Sequence, residues 1–249
     1  MKNLLYTTMI LLSLGLSSCN KDEGNSLGEY VISSATFHSL DAAYYLTNDN
    51  GETLWPAAGV LKPKDIADKD RVIVNYTKLG KDPDGQYDQE VKVNEIGKML
   101  TKDMLIFDEN TTEEVRDSIG NSPVRINGAW IVDDYLTVSF EMPIAYTTHL
   151  VNVVEDLTLE KTADGARILE LKQNDNEQPL VGYWNWGIAS FDISALQEQA
   201  TDSMLIALQA INADGDMVSY KETLNYKFDG SSETPAPANF KKDSDLDIQ

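Results

Sequence analysis

Arg71-Val72-Ile73-Val74-Asn75-Tyr76-Thr77 is a run of β-branched and aromatic residues, the composition typical of a strand. Asp82-Pro83-Asp84-Gly85 follows it. Proline sets φ at the first central position of a turn, and glycine suits the turn's end. Tyr87 to Asn94 then alternates, with Val91 and Val93 sharing one face. The two runs and their turn predict an antiparallel hairpin.

The preceding residues extend this β pattern towards the N-terminus. Strands are predicted from Tyr30 to Leu40, from Ala43 to Leu46 and from Glu52 to Ala57. The last two flank Asn48-Asp49-Asn50-Gly51, a strong hairpin signal because Asn-Gly adopts positive φ at low cost. Five strands in about 80 residues favour a small closed barrel over an open meander, because closure leaves no exposed edges.

A short helix and a second β region follow the predicted barrel. Asn110 is the predicted helix cap, Gly120 follows the last apolar residue, and Pro123 prevents continuation. Residues 124–229 then predict an immunoglobulin-like β-sandwich, with one helical turn within Ile193 to Gln199. Its strands are predicted at Ala129 to Phe140, His149 to Leu159, Ala166 to Leu171, Val181 to Ile193, Ser203 to Ile211 and Val218 to Phe228.

The N-terminus has the pattern of an export signal. Leu4 to Leu16 is a mainly apolar run, too short for a bilayer span and typical of a signal-peptide core. It ends in Leu16-Ser17-Ser18-Cys19, which resembles the bacterial lipobox. The resemblance implies removal of residues 1–18 and attachment of a diacylglycerol, usually with an N-acyl chain, at Cys19. Anchoring by two or more acyl chains is stable, so the predicted partner of the N-terminus is a membrane.

Residues 19–28 are predicted to form a polar tether. Within it, Lys21, Asp22 and Glu23 resemble the signal that sends Bacteroidetes lipoproteins to the outer face of the outer membrane. The alternative is an ordinary spacer between the lipid and the domain. At the other end, residues 230–249 lack a periodic apolar pattern and are predicted to be a disordered tail.

Composition excludes several classes of function. The chain has 249 residues, with 20 basic and 41 acidic side chains and a formal charge of −21. This charge disfavours nucleic-acid binding, which depends on clustered Lys and Arg. One Cys and two His, neither His in a catalytic motif, predict no metal site, no cofactor and no enzymatic activity. A mild cationic segment at residues 62–81 is expected to be a solvated loop, or a contact for an anionic glycan.

Several stretches resemble the NigD-like family of Bacteroidetes lipoproteins. They are Arg71 to Tyr76, Lys98 to Lys102, Trp130 to Phe140 and His149 to Asn152. The resemblance implies an OB-type barrel domain, assigned to residues 29–108, and a β-sandwich domain at 124–229, joined by a linker at 109–123. The family has no settled biochemical activity, and its name derives from a bacteriocin locus, which implies immunity or envelope defence.

Four tryptophans are the clearest candidates for ligand contacts or for the core. Trp184 and Trp186 project to one face of a strand and could form a sugar platform with Asn185, although filling the sandwich core is the favoured interpretation. Trp55 and Trp130 are expected in the core or at a barrel end. The leading functional hypothesis is a non-catalytic binding or assembly module for an extracellular protein or glycan. Bacteriocin immunity is the alternative, and polysaccharide hydrolysis is third.

Overall fold

The computed structural model of the chain describes residues 29–143, 149–176, 183–198 and 201–229. The predicted signal peptide at 1–18, the tether at 19–28 with Cys19, and the tail at 230–249 lie outside the described residues. Within the described part of the chain, no helix is long and apolar enough to cross a membrane.

The N-terminal strands close into a five-stranded barrel. They are β1 (Val31–Ser39), β2 (Tyr44–Asn48), β3 (Thr53–Gly59), β4 (Arg71–Gly80) and β5 (Gln89–Lys98). Their order is β1-β2-β3-β5-β4, with β4 paired back to β1 and only the β3–β5 pair parallel among them. Alternate side chains fill the interior, including Phe37, Leu46, Leu54, Val74 and Val91. The predicted closed barrel is confirmed.

Both turns that the sequence predicted in this barrel are present. Gly51 has a φ of 83° and donates its N–H to the carbonyl of Asn48 at 2.8 Å. Gly85 has a φ of 67° and donates to the carbonyl of Asp82 at 3.1 Å. A side chain is rarely tolerated at such φ values, so glycine determines where each hairpin reverses.

The rest of the described chain is a β-sandwich. Its elements are β6 (Leu100–Asp103), β7 (Leu105–Phe107), α1 (Glu113–Ile119), β8 (Arg125–Val132), β9 (Tyr135–Pro143), β10 (Leu150–Asp156), β11 (Arg167–Asn174), β12 (Trp184–Asp192), a 3₁₀ turn (Ser194–Leu196), β13 (Ser203–Ile211), β14 (Met217–Ser219) and β15 (Leu224–Lys227). One sheet has the order β14-β13-β11-β10-β7, with β15 also paired to β13, and the other has the order β6-β12-β9-β8. The apolar faces of the two sheets enclose one core that includes Leu136, Phe140, Val153, Phe191 and Leu208.

The assignment of residues 100–107 to the barrel domain is corrected by the strand pairing. β6 pairs in parallel with β12, and β7 pairs in parallel with β10, so both belong to the sandwich. These strands of four and three residues gain their hydrogen bonds from partners more than 45 residues away in sequence. No local pattern reveals such pairing, and the barrel strands end at Lys98.

Three local predictions also change in detail. Thr112, not Asn110, caps α1, and its side chain accepts the N–H of Val115. The run predicted as one strand from Ala129 to Phe140 is the β8–β9 hairpin, which reverses at Asp133 with a φ of 51°. The run from Val218 to Phe228 contains β14 and β15, separated by a loop. The predicted helical turn after Ile193 is present as the 3₁₀ turn.

Candidate functional site

Four aromatic side chains stack on the outer face of the barrel. The rings of His38 and Tyr45 lie 4.3 Å apart and nearly parallel. Tyr87 contacts Tyr45 at 5.3 Å and stacks on Trp55 at 5.0 Å. All four residues are half-buried. We call this set the barrel stack.

Strand alternation places three of these rings outside the barrel. His38 follows the inward-facing Phe37, and its direct partner across β1 and β2 is Tyr45. The pairing of Leu46 with Leu54 puts Tyr45 and Trp55 at neighbouring outward positions of β2 and β3. The stack therefore follows from barrel register and not from proximity in sequence.

The fourth ring, Tyr87, comes from the loop between β4 and β5. The carboxylate of Asp82 accepts the backbone N–H groups of Gln86 at 2.8 Å and Tyr87 at 2.9 Å. The bond from the Tyr87 N–H is the main cause that lowers the pKa of Asp82. The bonds to the ionised Asp82 carboxylate order the loop, and the Tyr87 ring lies against Tyr45 of β2 and Trp55 of β3.

Polar groups surround the barrel stack. His38 Nε2 lies 3.0 Å from Thr47 Oγ1. The carboxylate of Asp88 accepts the N–H and the hydroxyl of Thr53 at 2.8 and 2.7 Å. Burial lowers the pKa of His38 and raises that of Tyr87, so both rings are neutral at pH 7. The surface combines uncharged rings with hydrogen-bonding groups at its margin.

Two of the six cations in the segment at residues 62–81 are paired with acidic side chains. Arg71 is buried, and its guanidinium pairs with both oxygens of Asp49 at 2.7 and 2.5 Å. Lys78 pairs with Glu52 at 2.9 Å. Because acidic partners neutralise these two cations, Arg71 and Lys78 offer little attraction for an anionic glycan.

The Arg71–Asp49 pair also joins the barrel to the sandwich. Trp130 Nε1 in β8 donates to Asp49 Oδ2 at 2.7 Å. Arg71 donates to Thr137 Oγ1 at 3.2 Å and lies within 3.4 Å of Ser190 Oγ. The β2–β3 turn, whose strands carry Tyr45 and Trp55, is thereby held against the outer face of the β6-β12-β9-β8 sheet.

The residues of the predicted sugar platform all lie in β12 and differ in their surroundings. Trp184 is half-buried beneath Arg125, whose guanidinium carbon lies 4.6 Å from the ring centroid. Trp186 is half-buried and donates its Nε1–H to Ser139 Oγ at 2.8 Å. Asn185 is exposed. Neither indole is among the buried residues of the sandwich core.

The other candidate residues from the sequence lie in different parts of the structure. Trp130 is fully buried, as expected, whereas Trp55 lies on the outer barrel face. His149, just before β10, contacts Gln173 through its Nδ1. Among the residues that the structure describes, no group of three or more His, Cys, Asp or Glu side chains is placed to hold a metal ion. Cys19, Lys21, Asp22 and Glu23 lie outside those residues.

The sequence pattern alone did not identify the barrel stack as a site. Its residues come from four segments, and only barrel closure brings them together. One signal was present, because His38, Tyr45 and Trp55 each adjoin an inward apolar residue and so must face outward in a barrel strand.

The strand order defines a two-domain, nearly all-β protein with an OB-type barrel and a sandwich. Models of the NigD-like N-terminal OB domain and the NigD-like C-terminal beta sandwich domain match residues 36–99 and 106–224. The chain belongs to the NigD-like family. No significant match is found among curated proteins.

Solved structures share this two-domain fold. A candidate toxin-related protein from Parabacteroides distasonis is 27% identical, with a TM-score of 0.63 over 81% of this chain and 96% of that one. A NigD-like immunity protein from Bacteroides caccae is 16% identical, with a TM-score of 0.57 over 80% and 96%. A candidate lipoprotein from Bacteroides fragilis is 9% identical, with a TM-score of 0.52 over 80% and 98%. The last two likenesses concern the fold alone.

Proposed function

We propose that this chain is a lipid-anchored, non-catalytic envelope protein that binds an uncharged extracellular carbohydrate through its barrel stack. The observation that carries the proposal is the set of four contacting rings on the outside of the barrel. Large rings on a solvent-facing sheet surface offer apolar area for the C–H groups of a sugar. The threonines and carboxylates at the margin offer partners for its hydroxyls.

The position of the stack supports ligand binding. OB barrels bind oligosaccharides or oligonucleotides on the face of their second and third strands, near the loop between the fourth and fifth. Here Tyr45 and Trp55 occupy those strands, and Tyr87 comes from that loop. The charge of −21 repels a nucleic acid and other polyanions, which favours an uncharged ligand. A carbohydrate therefore fits this face better than an oligonucleotide does.

The lipid anchor rests on the lipobox and on the name of the Bacteroides fragilis structure. Surface display rests on Lys21, Asp22 and Glu23, and protease shaving of intact cells tests it. We expect the wild type to be cleaved and the Lys21→Ala/Asp22→Ala/Glu23→Ala variant to be protected. Protection of the wild type would contradict outward display.

Binding is tested with the full chain in detergent and a panel of soluble polysaccharides: β-glucan, α-glucan, galactomannan and arabinan. We expect at least one to bind, and Trp55→Ala or Tyr87→Ala to weaken that binding about tenfold or more. Tyr30→Ala is the matched control, because Tyr30 is exposed in the same domain and outside the stack. Equal binding by all three variants, with circular dichroism showing intact folds, would refute the barrel site.

Envelope immunity is the second candidate function. It is favoured by the name of the Bacteroides caccae structure and by the toxin-related name of the Parabacteroides distasonis protein. If the chain confers immunity, its deletion should sensitise cells to toxins of neighbouring strains, and the wild-type gene should restore resistance. Unchanged sensitivity would eliminate this candidate.

A further inference from the structure

We infer that the sandwich carries a second carbohydrate site, in a cleft beside Trp184 that is separate from the barrel stack. The cleft has a volume of about 340 Å³. Its lining includes Arg125, Ile126, Trp184, Asp214, Ser219 and Tyr220. The ligand class rests on the proposed function, whereas the site itself rests on the residues of the sandwich.

One wall of this sandwich cleft is a preformed pair of side chains. The Arg125 guanidinium lies over the Trp184 ring, and its Nη1 also pairs with Glu141 Oε2 at 2.9 Å. A planar guanidinium held by both a ring and a carboxylate has a restricted orientation, so little rotamer freedom is lost on binding. This wall presents an aromatic ring and an oriented hydrogen-bond donor.

A short, well-bonded turn forms another part of the cleft lining. Asn212 Oδ1 accepts the backbone N–H groups of Asp214 and Asp216, both at 2.9 Å. Gly215 closes the turn with an N–H bond to the Asn212 carbonyl at 3.1 Å. These bonds fix the backbone at Asp214. Asp214 lines the cleft, and its carboxylate is a hydrogen-bond acceptor. The same bonds make the Asn212–Asp216 segment the hairpin turn between β13 and β14.

Apolar side chains complete the lining of the cleft. Ile126 and Tyr220 line the cleft and also pack against the sandwich core. The backbone N–H of Tyr220 donates to the Leu208 carbonyl at 2.7 Å, and this bond ties the backbone of Tyr220 to β13. An apolar floor with a few oriented polar groups is the usual composition of a small-molecule site.

Charge balance indicates the chemistry of the ligand. Arg125 would oppose a cation, whereas Asp214 and Glu141, in a chain of net charge −21, would oppose an anion. An uncharged polyhydroxylated ring satisfies both kinds of group, because its hydroxyls donate to carboxylate and accept from guanidinium. Its C–H groups then meet Trp184 and Tyr220. The volume of the cleft falls within the range of about 300 to 1,000 Å³ typical of ligand pockets.

This site differs from the platform that the sequence suggested. Trp184 is retained, but Trp186 and Asn185 are not among the lining residues. Arg125, Asp214 and Tyr220 replace them, from three segments that the sandwich brings together.

The test uses the full chain in detergent and the same four polysaccharides. Short oligosaccharides are prepared from a polysaccharide that binds. We expect isothermal titration calorimetry with these oligosaccharides to show two sites in the wild type. Trp184→Ala and Asp214→Ala should each weaken one site about tenfold or more, and Trp55→Ala should weaken the other. Tyr183→Ala is the control, because Tyr183 is 80% exposed next to Trp184 and does not line the cleft.

The outcomes separate the two proposals. If Trp55→Ala weakens binding while folded Trp184→Ala and Asp214→Ala bind like the wild type, the sandwich site is refuted and the barrel site stands. If only the cleft variants lose binding, the barrel site is refuted instead. If none of the four polysaccharides binds to the wild type, both are overturned.

Discussion

The carboxylate of Asp49, in the turn between β2 and β3, accepts a hydrogen bond from Trp130 Nε1 in β8 at 2.7 Å. The bond crosses from the barrel to the sandwich, and both side chains are buried. Arg71 neutralises the carboxylate, and Thr137 and Ser190 bond to Arg71 and to each other. Because a buried charge is costly without its partners, separation of the domains would expose or orphan this whole cluster.

Loss of the Trp130 donor should destabilise both domains together. We expect Trp130→Phe to lower the free energy of unfolding by about 2 to 4 kcal/mol, from a lost bond to a charged group and a smaller buried ring. Urea unfolding, followed by circular dichroism, measures it. Trp186→Phe is the matched control, since the hydrogen bond that its indole N–H donates goes to the neutral hydroxyl of Ser139, and it should cost about 0.5 to 1.5 kcal/mol. Equal effects of the two variants would contradict the special role of Trp130.

Removal of the buried Arg71 charge should lower the free energy of unfolding more than removal of an exposed arginine charge. Arg71→Met leaves Asp49 buried with no cation, and we expect a loss of about 3 to 5 kcal/mol in unfolding free energy. Arg125→Met removes an arginine whose side chain is 59% exposed, and should change stability by about 1 kcal/mol or less. Denaturant titration of both variants tests the contrast. Partial recovery of Arg71→Met by adding Asp49→Asn would confirm that the orphaned carboxylate causes the loss.

Local sequence signals predicted the parts of this fold that depend on neighbouring residues. Gly51 and Gly85 identify two turns, and the β-branched run at Arg71 to Thr77 lies within β4. β6 and β7 were assigned to the barrel domain because no turn signal in the sequence separates them from the barrel strands. Their partners are distant strands of the sandwich.

The candidate sites depend even more on distant pairing. Asp49 was predicted as a turn residue, which it is, but its bond to Trp130 joins residues 81 positions apart. Likewise, Tyr87 meets Trp55 only after β3 pairs in parallel with β5. In the sandwich, Trp184 was identified, whereas Arg125 and Asp214 become its neighbours only through sheet packing.

Gly59 should be intolerant of any side chain. It has a φ of 94°, and a Cβ there would lie 1.9 Å from the backbone oxygen of Val93. We expect Gly59→Ala to lower the melting temperature sharply, since β3 and β5 must separate to admit the methyl group. Gly51→Ala is the control with a similar φ of 83° and open space around its Cβ, so backbone strain of about 1 to 2 kcal/mol is its main cost. Similar melting temperatures for the two variants would contradict the clash.

The barrel core should lose stability in alkali through Tyr44. Tyr44 is buried and donates its hydroxyl to the Val60 carbonyl at 2.9 Å, and burial raises its pKa to about 12. The pKa of a tyrosine in the unfolded chain is about 10. Between about pH 10 and 12 the unfolded chain has therefore released a proton that the folded chain retains, and the stability conferred by this group falls as pH rises.

Tyr44→Phe separates this effect from general alkaline denaturation. We expect the variant to be less stable at pH 7, because Val60 loses its donor, yet to lose stability with a shallower slope between about pH 10 and 12. The difference in slope should approach about 1.4 kcal/mol per pH unit for one proton. Urea unfolding at a series of pH values measures both slopes, with Tyr183→Phe as the exposed control. Identical slopes in wild type and Tyr44→Phe would show that other groups, such as the buried Tyr76 and Tyr226 whose pKa values are also raised, dominate the alkaline transition.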